Sequence, residues 1–199
     1  MKIGIYGGTF SPPHIGHVLS AEAFYREMKL DKLYIIPAGI PPHKSIDYPD
    51  DPEKRLRLCE LSFSDIPNTE VSDIELKREG KSYTVLTLRE LTQKGRELFL
   101  LCGTDMILTL DSWYCPDEIF RLCTPVCVRR ESDVETGQRI KEKLKLYRER
   151  YGVDVPIIDL PVTEISSSEI RDRIGRGESV SGLVMPAAEE FILTEVMYR

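Results

Sequence analysis

Lys2-Ile3-Gly4-Ile5-Tyr6-Gly7-Gly8-Thr9-Phe10-Ser11-Pro12-Pro13-His14-Ile15-Gly16-His17 follows directly on Met1. Residues 2 to 6 are a short apolar run that meets Gly7-Gly8, the pattern of a strand ended by a turn. Pro12 and Pro13 then keep the chain in a loop. From Gly16 onward Val18, Leu19, Ala23, Phe24 and Met28 recur with helical spacing. Strand, glycine-containing loop and helix in this order start an α/β fold.

The alternation continues outward from there. Leu33 to Ile36 reads as a second strand, halted by Pro37 and Gly39, and a proline- and aspartate-rich loop follows to Asp51. Pro52 opens a helix to about Phe63. A strand near 70–74, a helix near 82–94 ended by Gly95, and a strand at 98–102 lead into Gly103-Thr104-Asp105. Beyond a further helix and Trp113-Tyr114 come a helix near 116–122, a strand at 125–129, a charged surface helix at 134–151 and a strand at 155–160. The stretch from Ser166 is expected to be mostly helical. Short apolar strands alternating with amphipathic helices predict βαβ units and a Rossmann-like, doubly wound parallel sheet with helices on both faces. No repeat or linker divides the chain, so residues 1–199 are expected to form a single domain.

Composition excludes several classes. With 41% hydrophobic and 30% charged residues, the 199-residue chain is not disordered as a whole. Lys and Arg number 27 against 33 Asp and Glu, a net charge of −6, which argues against nucleic acid as a partner. The run from Lys141 to Arg150 mixes both signs, as a solvated helix face does. Five cysteines cannot all pair within one chain, and no Cys-x-x-Cys occurs. Reduced core thiols in a cytosolic protein are the better reading than structural zinc. No apolar segment is long enough for a signal peptide core or a bilayer span, so a soluble, cytoplasmic protein without a membrane partner is expected. Association into a homo-oligomer stays open.

In open parallel sheets ligands bind beyond the carboxyl ends of the strands, where the Gly7–His17 loop lies. It lacks the Gly-Lys-Ser/Thr of a Walker loop and the Gly-x-Gly-x-x-Gly of a dinucleotide fold. Its glycines permit close approach of backbone to ligand, and a helix start supplies amides and a positive dipole end to an anion. His14 and His17, three apart at that helix start, are spaced to face one phosphate chain. Zinc lacks an obvious third ligand there.

The string Gly7-Gly8-Thr9-Phe10-x-Pro12-x-His14-x-Gly16-His17 resembles the signature of the T/H-x-G-H nucleotidyltransferase superfamily. Four later segments are similar to those of bacterial nicotinate-nucleotide adenylyltransferases. They are Pro41-Pro42-His43-Lys44, Ser82-Tyr83-Thr84, Gly103-Thr104-Asp105 with Trp113-Tyr114 downstream, and Ile165-Ser166-Ser167-Ser168-x-Ile170-Arg171. The resemblance implies the nucleotidyltransferase fold and adenylyl transfer from ATP to nicotinate mononucleotide, yielding deamido-NAD and pyrophosphate for NAD biosynthesis.

By that resemblance His14, His17, Lys44 and Arg171 are the catalytic groups. Gly7, Gly8, Thr9, Phe10, Gly16, Gly103, Asp105, Ile165, Ser166 and Ser167, with His14, His17 and Arg171, are implied to bind ATP. Lys44, Thr84, Trp113 and Tyr114 are implied to bind the nicotinate nucleotide. Mg²⁺ is implied as the companion of ATP, held mainly by phosphate oxygens and water rather than by a protein cage. The chain departs from the family pattern at Ser11 and Leu86, where aspartates are frequent, and at Arg130, where proline is frequent. An amide mononucleotide or phosphopantetheine as acceptor, and a non-catalytic nucleotide-binding protein, are the competing readings.

Overall fold

The structure is a computed structural model that describes residues 1–41, 51–130, 133–162 and 165–198. Its strands are β1 Lys2–Gly8, β2 Lys32–Pro37, β3 Thr69–Val71, β4 Glu97–Gly103, β5 Thr124–Arg129 and β6 Ile157–Asp159. Its α-helices are α1 Ile15–Met28, α2 Pro52–Phe63, α3 Thr84–Leu91, α4 Thr104–Thr109, α5 Pro116–Leu122, α6 Val134–Tyr151, α7 Ser167–Gly175 and α8 Pro186–Thr194. The six strands form one sheet in the order β3-β2-β1-β4-β5-β6, the doubly wound order expected of a Rossmann-like fold.

Two compact units share the chain, each assembled from three separate segments. The first comprises Met1–Tyr6, Ala23–Leu33 and Tyr83–Thr163. Here β1 pairs parallel with β4 (Ile3 opposite Leu98), β4 with β5 (Cys102 opposite Cys127) and β5 with β6 (Val128 opposite Ile158). Leu98 to Cys102 are all buried, as a strand covered on both sides requires. Gly4 is demanded by packing, since an added Cβ would lie 2.9 Å from Phe24 Cε1. The helix α3 packs against α5, and α4 against α6. Both ends of α6 are capped: the Asp133 carboxylate accepts from the Thr136 amide, and Gly152 closes the helix at φ 68°.

The second unit comprises Gly7–Glu22, Tyr34–Ser82 and Glu164–Arg199. Leu58 from α2 joins Ile170 and Ile174 from α7, Val180 and Val184 from the segment that follows, Ala188 and Ile192 from α8, and Met197 in a single buried cluster. The stretch beyond Ser166 is not continuously helical. Gly177 at φ 71° and Gly182 at φ 76° turn the chain between α7 and α8, and the intervening Val180 and Val184 point into the core.

Several boundaries moved. The helix predicted over 82–94 ends at Leu91, because Thr92 turns extended (ψ 121°) while its hydroxyl donates back to the Leu88 carbonyl at 2.7 Å. The strand predicted near 70–74 is Thr69–Val71, after which Lys77 N donates to the Asp73 carbonyl in a turn. The last strand is trimmed to Ile157–Asp159.

Candidate active site

The glycine-containing loop is held from several directions within its own unit. Phe10 takes the left-handed conformation (φ 51°) and is buried, with its ring edge-on to His17 at 5.2 Å and to Phe63 at 5.6 Å between centroids. Gly8 is required beside it, because a Cβ there would come within 2.9–3.1 Å of the Phe10 ring atoms. The two histidines lie ring on ring, 3.7 Å between centroids and tilted by 30°. The His14 amide donates to His17 Nδ1 at 3.1 Å. An amide can only donate, so the neutral His17 ring carries its proton on Nε2 and presents it as a donor. His14 is buried, and His17 is half-buried.

Residues of α7 close on the same loop. Ser167 Oγ donates to the Pro12 carbonyl at 2.8 Å, and Arg171 Nη1 to the Ser11 carbonyl at 2.8 Å, while Arg171 Nη2 reaches Ser168 Oγ at 3.1 Å. Ser166 is the helix cap, accepting from the Glu169 amide at 3.1 Å. Ser11, where the family pattern favours aspartate, is buried and hydrogen-bonded to Tyr198 Oη at 3.1 Å. Not every amide at the start of α1 is offered to a ligand: Ile15 N donates to the Leu183 carbonyl, and His17 N to the His14 carbonyl.

Thr84, Gly103, Asp105, Trp113 and Tyr114 belong to the first unit, and Ile165 packs against the buried cluster of the second. Gly103 is the N-cap of α4, with nothing within 4 Å of where a Cβ would sit, and Asp105 is exposed in the helix's first turn. Asp105 is therefore not the cap residue. Thr84 begins α3 after Tyr83, whose ring lies against that of Tyr114 at 4.6 Å between centroids. Trp113 is half-buried, its Nε1 3.4 Å from Thr109 Oγ1, whereas Tyr114 is exposed. Cys115 caps α5 at φ 55°.

Comparison with known proteins places this geometry. The Cytidylyltransferase-like family model matches residues 5–173, which include the loop, both histidines and Arg171. The probable nicotinate-nucleotide adenylyltransferase of Caldicellulosiruptor saccharolyticus is 33% identical over 199 residues, covering 100% of both chains. That of a Thermoanaerobacter species is 36% identical over 202 residues, covering 100% of this chain and 95% of the other. The chain belongs to the nicotinate-nucleotide adenylyltransferase family. The fold is that of the Plasmodium falciparum nicotinic acid mononucleotide adenylyltransferase in complex with NaAD, with a TM-score of 0.73 at 16% identity over 99% of this chain and 97% of that one.

Against the expectations for a nicotinate-nucleotide adenylyltransferase, His14, His17, Ser167 and Arg171 are brought together in one unit, and Thr84, Gly103, Asp105, Trp113 and Tyr114 lie in the other. Lys44 lies outside the described residues. Leu86 is half-buried within α3, its amide bonded to the Tyr83 carbonyl at 3.0 Å, and Arg130 directly follows β5.

Sequence reading missed Arg55 on α2, fully buried, whose Nη1 donates to the Thr9 carbonyl at 2.9 Å. Nothing local signals it, because Arg55 sits among Glu53, Lys54 and Arg57 as a solvated helix residue would. It also missed the forked Arg89–Glu118 pair (2.6 and 3.0 Å), which ties α3 to α5 and holds the Glu118 carboxyl below its ordinary range through the Arg89 hydrogen bond. Among the thiols, Cys59, Cys102, Cys123 and Cys127 are buried, and burial pushes the first three well up, so they stay protonated. Cys115 alone is half-exposed.

Proposed function

We infer that this protein transfers the adenylyl group of ATP to nicotinate mononucleotide, giving nicotinate adenine dinucleotide and pyrophosphate in NAD biosynthesis. Full-length similarity to family members supports the reaction. The observation that carries the site assignment is the His14–His17 pair, with the proton of His17 fixed on Nε2 by the His14 amide.

An oxygen of the acceptor's phosphate attacks the α-phosphorus of ATP, a new P–O bond forms, and the bond to the β-phosphate breaks as pyrophosphate leaves. The nucleophile arrives ionised, so the chain needs no covalent nucleophile of its own. Catalysis is alignment plus neutralisation of charge. His17 donates from Nε2 to an α-phosphoryl oxygen, and His14 stands beside it. Gly7, Gly8, Thr9, Phe10 and Gly16 bring backbone close to the triphosphate. Ile165, Ser166 and Ser167 present the start of α7 to the leaving pyrophosphate, where the helix dipole and the Arg171 guanidinium favour negative charge. Lys44 adds a point charge toward the phosphates.

Gly103 leaves room beside the start of α4, and the exposed Asp105 carboxylate accepts from ribose hydroxyls. Trp113 stacks on the pyridine ring, while Thr84 and the amides near Trp113 and Tyr114 bind the nicotinate carboxylate. An amide ligand would leave that donor set without its charged acceptor, which gives selectivity for the acid.

Among the described residues, no group of three or more His, Cys, Asp or Glu could hold a metal ion. Mg²⁺ would accompany ATP, held mainly by phosphate oxygens and water, and would screen the phosphate charge. The family match runs through segments of both units, which supports one nucleotidyltransferase domain over 1–199. No helix among the described residues is long and apolar enough to cross a membrane. The buried thiols suit a reducing cytoplasm.

The deciding experiment measures pyrophosphate release with ATP and either the acid or the amide mononucleotide. Turnover favouring the acid is expected. A strong amide preference overturns the substrate assignment, and ATP binding without pyrophosphate release overturns the enzymatic reading.

A further inference from the structure

Trp113 stands two residues beyond Asp111 and directly follows the 3-10 turn Leu110–Ser112. Leu110 anchors that turn by complete burial and accepts from the Trp113 amide at 3.2 Å. Its polar anchor is remote in sequence. Lys143 Nζ on α6 lies 2.7 Å from Asp111 Oδ1 and 2.9 Å from Oδ2, and Tyr147 Oη lies 3.4 Å from Oδ1. Tyr147 is itself fixed, buried and donating to the Ile107 carbonyl of α4 at 2.6 Å.

Lys143 and Tyr147 are four apart, so they share one face of α6 and reach the carboxylate together. Two further ion pairs of α6, Lys145–Glu149 and Arg148–Asp154, are surface contacts. Lys145–Glu149 has side chains 77% and 63% exposed, against 23% and 17% for Lys143–Asp111. Burial raises the Asp111 carboxyl, but the Lys143 hydrogen bond and charge outweigh it, and its pKa falls below the ordinary 3.8. A pair so shielded from water is weakly screened and tightly defined in geometry. Partly buried ion pairs add little net stability, and fixing an arrangement is their best-attested use.

We propose that Lys143 and Asp111, braced by Tyr147, are positioning residues that set the orientation of Trp113 and thereby the affinity for the nicotinate nucleotide. This rests on the proposed role of Trp113. The helix α6 thus does more than present charge to solvent.

Trp113 is the only tryptophan, so its fluorescence reports the turn directly, without substrate. The test compares wild type, Lys143→Met, Lys143→Arg and Asp111→Asn by emission maximum, anisotropy, and KM for each substrate, with circular dichroism to verify folding. Lys143→Met is expected to shift Trp113 emission to the red, lower its anisotropy, and raise KM for nicotinate mononucleotide about tenfold. KM for ATP should stay within about twofold, since the pair supports only the nicotinate side. Asp111→Asn should behave alike, and supplies the answer if Lys143→Met fails to fold. Lys143→Arg should restore both readouts.

Unchanged fluorescence in Lys143→Met and Asp111→Asn overturns the proposal, as does an equal rise in both KM values. Altered fluorescence with an unaltered KM for the nicotinate nucleotide overturns it through the role given to Trp113. Should the wild type make no dinucleotide at all, the reaction reading has failed, and the fluorescence arm still judges the positioning of Trp113.

Discussion

The loop from Thr9 to His17 and the turn from Asp111 to Tyr114 carry opposite designs. In the loop, backbone and side chains are locked: Thr9, Ser11 and Pro12 carbonyls each accept a side-chain donor, from Arg55, Arg171 and Ser167. Phe10 is clamped between His17 and Phe63. In the turn, Tyr114 is 54% exposed, Trp113 is half-buried, and the polar hold remote in sequence comes from Lys143, with Tyr147 beside it, on Asp111. Phosphate chemistry gains from donors already aimed, because reorganising them during reaction adds to the barrier. Recognition of a flat ring tolerates a softer frame, provided a single constraint keeps the platform in place.

The comparison breaks most visibly at His17. His17→Ala should lower turnover about 10²–10³-fold, the usual cost of losing one preorganised donor. It should also lower the melting temperature, because the His14 amide loses its acceptor and Phe10 a packing partner. A drop below tenfold in single-turnover assays would remove His17 from the chemistry. Gly8→Ala comes next, forcing a Cβ to within 2.9–3.1 Å of the fixed Phe10 ring. Overpacking of this kind costs about 1–3 kcal/mol, readable in urea unfolding, and turnover should fall with it because Phe10 abuts His17. Wild-type stability would mean that the loop is not rigid.

The smallest effect sharpens the other region. The folded Asp111 pKa lies below 3.8, so its ionisation stabilises the fold fully above that value. The contribution is lost as pH falls from 3.8 through the lowered folded value. Melting temperature should therefore fall more steeply over that acid window in wild type than in Lys143→Met. Parallel curves would show that the pair is not formed in solution.

Features specified by neighbours in sequence were legible before the fold. Pro52 marks the start of α2, and the structure adds the cap, with the Asp51 carboxylate accepting from the Glu53 and Lys54 amides. The helices expected at 116–122 and 134–151 are α5 and α6. The loop and its histidines were legible as a string. What lay hidden depends on contacts across the chain. Arg55 and Thr9 are 46 residues apart, Asp111 and Lys143 32, Ser11 and Tyr198 187, and no local pattern encodes any of them. The serines after Ile165 were readable as a helix start. Only the fold distinguishes Ser166 the cap from Ser167 the loop tie and Ser168 the support of Arg171.

The interleaving of the two units bears on how the chain is born. Neither unit is a continuous stretch, and the second draws Ile170, Ile174, Val180, Val184, Ala188, Ile192 and Met197 from its last segment. During synthesis Leu58 emerges long before any of these partners exist. The loop with its histidines is made first and secured last, by Ser167 and Arg171. Ribosome-bound chains stalled before residue 164 therefore lack the residues that cover Leu58, and the core of the second unit closes only when the last segment has emerged.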